Sequence, residues 1–424
     1  MSSNVLIVGG GGREHALAWK MVQSPRLRKL FIAPGNPGTA EFGENVSLLP
    51  TDLQGLTDFA EANQIDLTVV GPEDPLAAGL TSRFHQRGLP IFGSSCTAAS
   101  LECSKVFAKH LMDAAGVPTA QYRVFRDFWS AWDYICATGV PLVIKANGLA
   151  AGKGVFVCRE ITEALRALVI LMRDRVFGSA GDTVVIEELL EGREVSIHAF
   201  TDGLRYCLMP PAQDHKTLSD GGRGPNTGGM GVVAPVPWFS GPENEAAARQ
   251  IVERTLESMR YRGYEFRGCL YPGLMVTANG SKVLEYNVRF GDPEAQVYMR
   301  LLRSDLLEVT EACAAGGLTQ PVDWYDGFAV CVVLAAPGYP EKPIGGSPID
   351  GIERAESVPG VVVFHSGTKI NQITGELITA GGRVLSVTAI GATLAEAQSR
   401  AYRAIGFIHF EEMHFRRDIG AYCQ

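Results

Sequence analysis

The chain has 424 residues, of which 20% are charged and 46% hydrophobic, with a formal net charge of -8. That length suits about three domains of ordinary size, and the acidic balance lacks the basic footprint of a general nucleic-acid binder. The opening "MSSNVLIVGGGG" has neither the basic region nor the apolar stretch of a secretory leader, and no run of about 18 apolar residues follows, so a cytoplasmic protein without membrane spans is expected.

The nine cysteines are scattered without a C-x-x-C pair, which points to buried thiols rather than a zinc site or a disulfide framework. In chain order, the opening third alternates short apolar runs with helix-like stretches: "NVLIVG", "REHALAWKMVQS", "KLFIAPGN", "DLTVVGPE" and "LPIFGSS". That rhythm predicts a parallel α/β sheet, with "GGGGREH", "PGNPG" and "GPEDP" at the carboxyl ends of strands, where such sheets bind ligands. A dinucleotide fingerprint starting from Gly9 and Gly11 needs glycine at position 14, which is Glu14. The nicotinamide reading is therefore weakened.

The stretch "SLECSKVFAKHLMDAAGVP" reads as one helix stopped by Gly116 and Pro118. Beyond it, "GLAAGKGV" looks like a Walker A loop but has three residues, not four, before Gly-Lys, and Gly154 in place of Ser or Thr. Its flanks, "PLVIKA" and "VFVC", are β-branched runs, so the glycines are expected at the tip of a hairpin rather than between a strand and a helix. Such a loop either folds over nucleotide phosphates with its backbone N–H groups or is a plain turn. The helix "EITEALRALVILMRD" and the strand "DTVVIEELL" complete a small α+β module.

Several residues ahead of and behind this loop carry candidate chemistry. Lys105 and Lys145 sit near it as candidate phosphate partners, and Glu187, Glu188, Glu191 and Glu194 form an acidic strand end. The loop "QDHKTLSDGGRGPNTGGMG" is longer and richer in Gly, Asp and Asn than a connector requires, with Asp214, His215 and Lys216 able to hold a polar substrate. In "LEYNVRFGDPEAQ", period-two spacing aims Glu285, Asn287 and Arg289 to one side of a strand. A carboxylate and an amide oxygen, completed by phosphate and water, suit Mg²⁺, and Arg289 can steady a transferring phosphoryl group. A solvent-facing salt bridge is the plainer alternative. Isolated His15 and His215 are weak candidates, and no arrangement suggests a covalent nucleophile. From residue 326 the pattern resets into strands and a helix that make a compact C-terminal domain.

Taken together and in this order, "GGGGREHA", "APGNPG", "VVGPEDPLAAGL", "LECSKVFAK", "VIKANGLAAGKGV", "VIEELLEGREVS", "QDHK", "GPNTGGMG", "EYNVRFGDPEAQ", "HSGTK" and "GGRVL" resemble the glycinamide ribonucleotide synthetase family of ATP-grasp ligases. The resemblance runs essentially end to end. It implies a multidomain α/β and α+β architecture: a preATP-grasp, Rossmann-like N-terminal domain (1–103), a two-lobed ATP-grasp region (104–325, with a mobile lid about 123–190) and a small α+β C-terminal domain (326–424).

The implied reaction joins glycine to 5-phosphoribosylamine through a glycyl phosphate, with ATP and Mg²⁺ or Mn²⁺. It also implies ATP contacts from Lys105, Lys145, Gly152, Lys153, Gly154, Glu187, Leu189 and Glu194, and metal ligation by Glu285 and Asn287. Arg289 and Asp292 would border the reacting phosphate, Asp214 would help seat glycine, and Gly10, Gly11, Glu73, Lys369 and Arg383 would face the ribosyl phosphate. Only small-molecule partners are implied, in a monofunctional monomer with a dimer as the alternative.

Asn147, Asp74, Ala295 and Gly10 depart from the residues the family usually has there. Two other readings stay open at this point: another ATP-grasp ligase acting on bicarbonate or formate, and a nucleotide-binding protein without turnover.

Overall fold

The computed structural model describes residues 2–149, 153–421 and 423. At the N-terminus five strands pair in the order 44–45, 27–34, 3–9, 67–70, 91–92, all parallel. Ser3–Gly9 is buried on both faces, which is why it reads as a continuous apolar run without alternation. The turns after Gly9, Pro34 and Val70 converge at one end of this sheet.

The stretch read as a single helix is instead two, Cys96–Cys103 and Lys105–Ala115. Ser104 is extended (φ -133°, ψ 109°), and its hydroxyl accepts from the Phe107 amide, capping the second helix. The break follows from capping chemistry: a serine that can satisfy an orphan N–H competes with helix continuation. Gly116 ends the second helix in the left-handed conformation (φ 63°), as its position predicted.

Next comes a four-stranded antiparallel sheet, ordered Tyr122–Phe125, Val184–Glu188, Leu142–Ala146, Val155–Cys158. The expected hairpin is present: Leu142–Ala146 pairs with Val155–Cys158, and the glycine loop joins them. This unit has a core of its own around Ile135, Ile144, Leu168 and Ile186, separate from the other clusters. The helix expected over 160–174 is α-helical only to Leu168 and continues as a π-type turn, Val169–Arg173.

A second five-stranded sheet is built on Gly268–Thr277, which pairs with Arg193–Ser196, Ala199–Thr201 and Gly280–Asn287. The C-terminal sheet runs 213–214, 231–234, 328–335, 383–391, 361–365. Its first two strands come from the long loop, which also folds a hairpin, Thr217–Ser219 with Arg223–Asn226. All nine cysteines are free thiols; Cys96 and Cys136 are exposed, and five others are buried.

Candidate active site

The strand Gly280–Asn287 supplies the platform. Along it and just beyond, Tyr286, Val288 and Phe290 are buried in the core while Glu285, Asn287 and Arg289 are only partly covered. The alternation expected of a strand therefore holds through Arg289, two residues past the strand's end.

Cations crowd Glu285. Lys216 Nζ lies 3.8 Å from Glu285 Oε1 and 3.0 Å from Glu194 Oε2. Burial pushes the Glu285 pKa up, but Lys216, Lys105, Lys145 and Arg289 outweigh it and bring it to about 2, so the carboxylate is ionised at neutral pH. The carboxylates in turn hold Lys216 protonated, Glu194 most strongly and then Glu285 and Asp214, against the effect of burial. Among the described residues no group of three or more His, Cys, Asp or Glu side chains forms a metal cage. Glu285 and Asn287 offer two hard oxygen donors on one face, a set that suits a divalent cation taking its other ligands from phosphate and water.

Lys145 reaches from its strand to Glu187 Oε2 (2.9 Å) and donates to the Leu284 carbonyl (3.0 Å). Lys109, one helical turn after Lys105, takes the other oxygen of Glu187 at 3.2 Å; both side chains are 2% exposed. Burial, partly offset by Glu187, lowers the Lys109 pKa to about 8. Glu187 thus ties the four-stranded sheet to the Lys105–Ala115 helix through Lys109, while Lys145 joins it to the neighbouring strand. Lys105 sits at the first position of that helix and donates to the Glu102 carbonyl (3.2 Å).

Arg289 is clamped by two carboxylates, with Nε 3.0 Å from Glu73 Oε2 and Nη2 2.8 Å from Glu102 Oε1. The second Glu102 oxygen accepts from the Val288 amide (2.8 Å). Burial alone would raise the Glu73 pKa, yet Arg289 and Arg13 hold it at about 2. Asp292 pairs with Arg383 (Oδ2 to Nη2, 3.1 Å), and Arg383 Nη1 also donates to the carbonyls of Gly228 and Asp292 at 2.5 and 2.6 Å. One guanidinium therefore joins the "GPNTGGMG" loop to the "FGDPE" turn.

Asp214 lies beneath that loop. Its Oδ1 is buried and has no hydrogen-bond partner. Burial, then repulsion from Glu294, raises its pKa well above the usual range against the pull of Lys216 and Arg383. An unpaired buried acceptor is costly and calls for a ligand donor. His215 is spent on structure, with Nδ1 3.1 Å from the Gly231 carbonyl and Nε2 accepting from the Gly420 amide at 3.2 Å.

At the N-terminal sheet, Gly11 caps the helix Gly12–Met21, and its amide donates to Glu14 Oε2 (2.6 Å). Asn36 Nδ2 donates to the carbonyls of Gly10 and His365, each at 3.0 Å, joining the first glycine turn to the C-terminal domain. Gly154 accepts from the Ala146 amide, and Lys153 donates to the Pro340 carbonyl (3.2 Å). Leu189 follows directly after Val184–Glu188. Lys369 stands exposed on the Thr368–Ile370 strand with no ion pair to this cluster among the described residues. Gly152 lies outside the described residues.

The site also uses Glu102, Lys109, Arg13, His198 and Glu294, which sequence reasoning did not single out. Of these only Lys109 carried a signal, its i,i+4 spacing from Lys105.

A glycine loop between paired antiparallel strands and an acid–amide strand end flanked by lysines are the arrangement of an ATP-grasp fold. Family models agree along the chain: the N domain of phosphoribosylglycinamide synthetase matches residues 3–102, its ATP-grasp (A) domain 103–295 and its C domain 329–422. The chain belongs to the phosphoribosylglycinamide synthetase family.

Among relatives, a phosphoribosylamine–glycine ligase of Nostoc is 47% identical, with 98% of each chain covered. That of Mesorhizobium japonicum is 48% identical, over 98% of this chain and 97% of its own. The trifunctional purine biosynthetic protein adenosine-3 of Gallus gallus is 47% identical over 99% of this chain, which spans 42% of that protein. The solved phosphoribosylamine–glycine ligase of Thermotoga maritima superposes with a TM-score of 0.83 at 34% identity, covering 98% of this chain and all of that one. An ADP complex of N5-carboxyaminoimidazole ribonucleotide synthetase shares the fold alone, at 16% identity and TM-score 0.66 over 95% of this chain and 96% of the other.

Proposed function

We propose that this protein ligates glycine to 5-phosphoribosylamine with cleavage of ATP to ADP and phosphate, giving glycinamide ribonucleotide. The observation that carries the reading is the ionised Glu285 in the field of Lys216, Lys105, Lys145 and Arg289, with Lys216 Nζ 3.8 Å from its carboxylate. Phosphoryl transfer asks chiefly for positioning and charge neutralisation, and this cluster of side chains supplies both without an enzyme nucleophile.

In this reading Lys105 and Lys145 meet the ATP phosphates, the described loop residues Lys153 and Gly154 close over them together with Gly152, and the Leu189 backbone and Glu194 face the nucleoside. Glu187 positions Lys145 rather than meeting solvent. Glu285 and Asn287 would hold Mg²⁺ or Mn²⁺, which supplies charge neutralisation at the phosphates when bound. Arg289 and Asp292 border the transferred phosphoryl group, and the unpaired Asp214 oxygen accepts from the glycine ammonium. The turns at Gly10 and Gly11 receive the ribosyl phosphate, with Arg383 and Lys369 supplying positive charge to it and Glu73 acting by fixing Arg289. Loop closure excludes water from the acyl phosphate.

The same reading divides the chain into residues 1–103, 104–325 and 326–424, the middle region lending strands 213–214 and 231–234 to the C-terminal sheet, in a cytoplasmic monomer. Glycine labelled with ¹⁸O in its carboxylate tests the reading. The carboxylate oxygen that attacks the γ-phosphorus should leave with it, placing one ¹⁸O in each released phosphate. Unlabelled phosphate would reject the acyl phosphate route, and release driven equally by bicarbonate or formate would move the chain to a carboxylating or formylating ligase.

A further inference from the structure

His198 lies in the bend between Arg193–Ser196 and Ala199–Thr201 and is 0% exposed. Its Nε2 is 3.2 Å from the Gly291 backbone nitrogen, and its Nδ1 is 2.9 Å from the Tyr298 hydroxyl. A backbone N–H can only donate, so Nε2 must be the bare acceptor; the imidazole proton sits on Nδ1 and is donated to Tyr298. Burial, with Arg289 adding to it, keeps the ring neutral.

The ring is also fixed in plane. It stacks on Tyr271 with centroids 3.8 Å apart and an interplanar angle of 24°. Tyr271 in turn donates to Glu294 Oε1 at 2.7 Å, and Ser196 donates to the same oxygen at 3.0 Å. Gly291 stands between Arg289 and Asp292, and its carbonyl accepts the Ala295 amide of the helix that follows. His198 therefore meets the one backbone donor at the centre of the turn, while Glu73, Glu102 and Arg383 hold the side chains on either side.

We propose that His198 is a positioning residue for the reaction: as the acceptor for the Gly291 N–H it sets the Arg289–Asp292 turn, and through it the guanidinium and carboxylate that border the transferring phosphoryl group. This rests on the ligase reading above, which assigns that turn. Loss of the acceptor leaves a buried N–H unsatisfied and frees the turn to shift, and small displacements of positioning groups weigh on turnover.

The test compares His198→Phe, which keeps the stacked ring and removes the acceptor, with His198→Gln, whose amide oxygen can accept. His198→Phe should lower kcat by roughly ten- to a hundredfold with KM for ATP within about twofold, and His198→Gln should restore about tenfold of that loss. A merely structural role would lower the melting temperature of His198→Phe and leave kcat per folded molecule unchanged, and that result would overturn the proposal. Nitrogen-15 NMR of the ring-labelled parent gives a second readout that needs no variant to fold. It should show two histidines protonated on Nδ1 and bare on Nε2 between about pH 5 and 9, His215 and His198, of which His198 is the ring whose Nε2 couples through its hydrogen bond to the Gly291 amide nitrogen. A proton on Nε2, or a titration in that window, overturns the assignment. A parent that shows the NMR signature without glycine-dependent ADP release fails the ligase reading and leaves the geometry of the turn intact.

Discussion

Asn147 illustrates how one residue joins the glycine loop to the core. The resemblance leads one to expect aspartate there; the asparagine Oδ1 accepts from the Ser104 hydroxyl (3.0 Å) and the Val106 amide (3.1 Å), at the N-terminus of the helix that carries Lys105 and Lys109. Asn147→Ala should cost about 1 kcal/mol in unfolding free energy, as the loss of a cap does, and raise KM for ATP by loosening the loop's root. Asn147→Asp keeps both acceptors and adds a negative charge at a helix N-terminus, so it should match or exceed the parent in stability by about 0.3–1 kcal/mol. Denaturant titration and ATP kinetics on the two variants check this; an Asn147→Asp protein weaker than Asn147→Ala would contradict it. That Glu285, Asn287 and Arg289 share one face was legible in the sequence because period-two spacing is a local property of a strand. Glu102, His198 and Glu294 were not, since each acts on the site from a distant segment and none stands in a pattern that local periodicity can show.

Elements carry the site by docking edges that the sequence leaves unpaired. The helix Gly12–Met21 meets Val361–His365 through His15, whose Nδ1 accepts from the His365 amide at 2.7 Å. Burial lowers both imidazoles, His15 to about 3 with His365 adding to the effect, and His365 to about 4. A depressed folded-state pKa means that the unfolded chain binds the proton first as pH falls. This contribution to stability is full above about pH 6.5 and is lost progressively toward the folded-state values. Glu73 and Glu285, both near 2, add a loss that begins only below about pH 4.5. His15→Gln retains an acceptor for His365 and should flatten the slope of unfolding free energy between about pH 4 and 6.5 by about 1.4 kcal/mol per pH unit. Urea titrations across that range measure it, and an unchanged slope would show that His15 does not titrate between the two states. The parallel sheet and the pairing of Leu142–Ala146 with Val155–Cys158 were predictable from apolar runs and glycine punctuation. The break at Ser104 was not, because a serine inside an otherwise continuous helical pattern becomes a cap only when the fold places Asn147 beside it.

At the scale of the whole molecule, the C-terminal sheet is interleaved with the catalytic region. Gly231–Ala234 is buried and pairs with Phe328–Ala335, so strands on either side of residue 326 share one sheet. A chain ended at residue 325 would leave that buried strand with an open edge and strip its apolar cover. It should fail to unfold cooperatively and should show no glycine-dependent turnover, whereas a soluble 1–325 fragment with a sharp thermal transition would contradict the interleaving. The end-to-end order of motifs made the architecture readable, but not this exchange of strands: "GMGVVAP" has the alternation of any short strand, and its partner lies almost a hundred residues further on. The measurement that tests the account most directly is coupled ADP release with ATP, Mg²⁺, glycine and freshly formed 5-phosphoribosylamine, omitting each in turn and weighing the product. Ligation of glycine requires that release needs all four, with glycinamide ribonucleotide formed in equal amount to ADP. Release indifferent to glycine, or tight ATP binding with no release under any combination in a folded preparation, would contradict it.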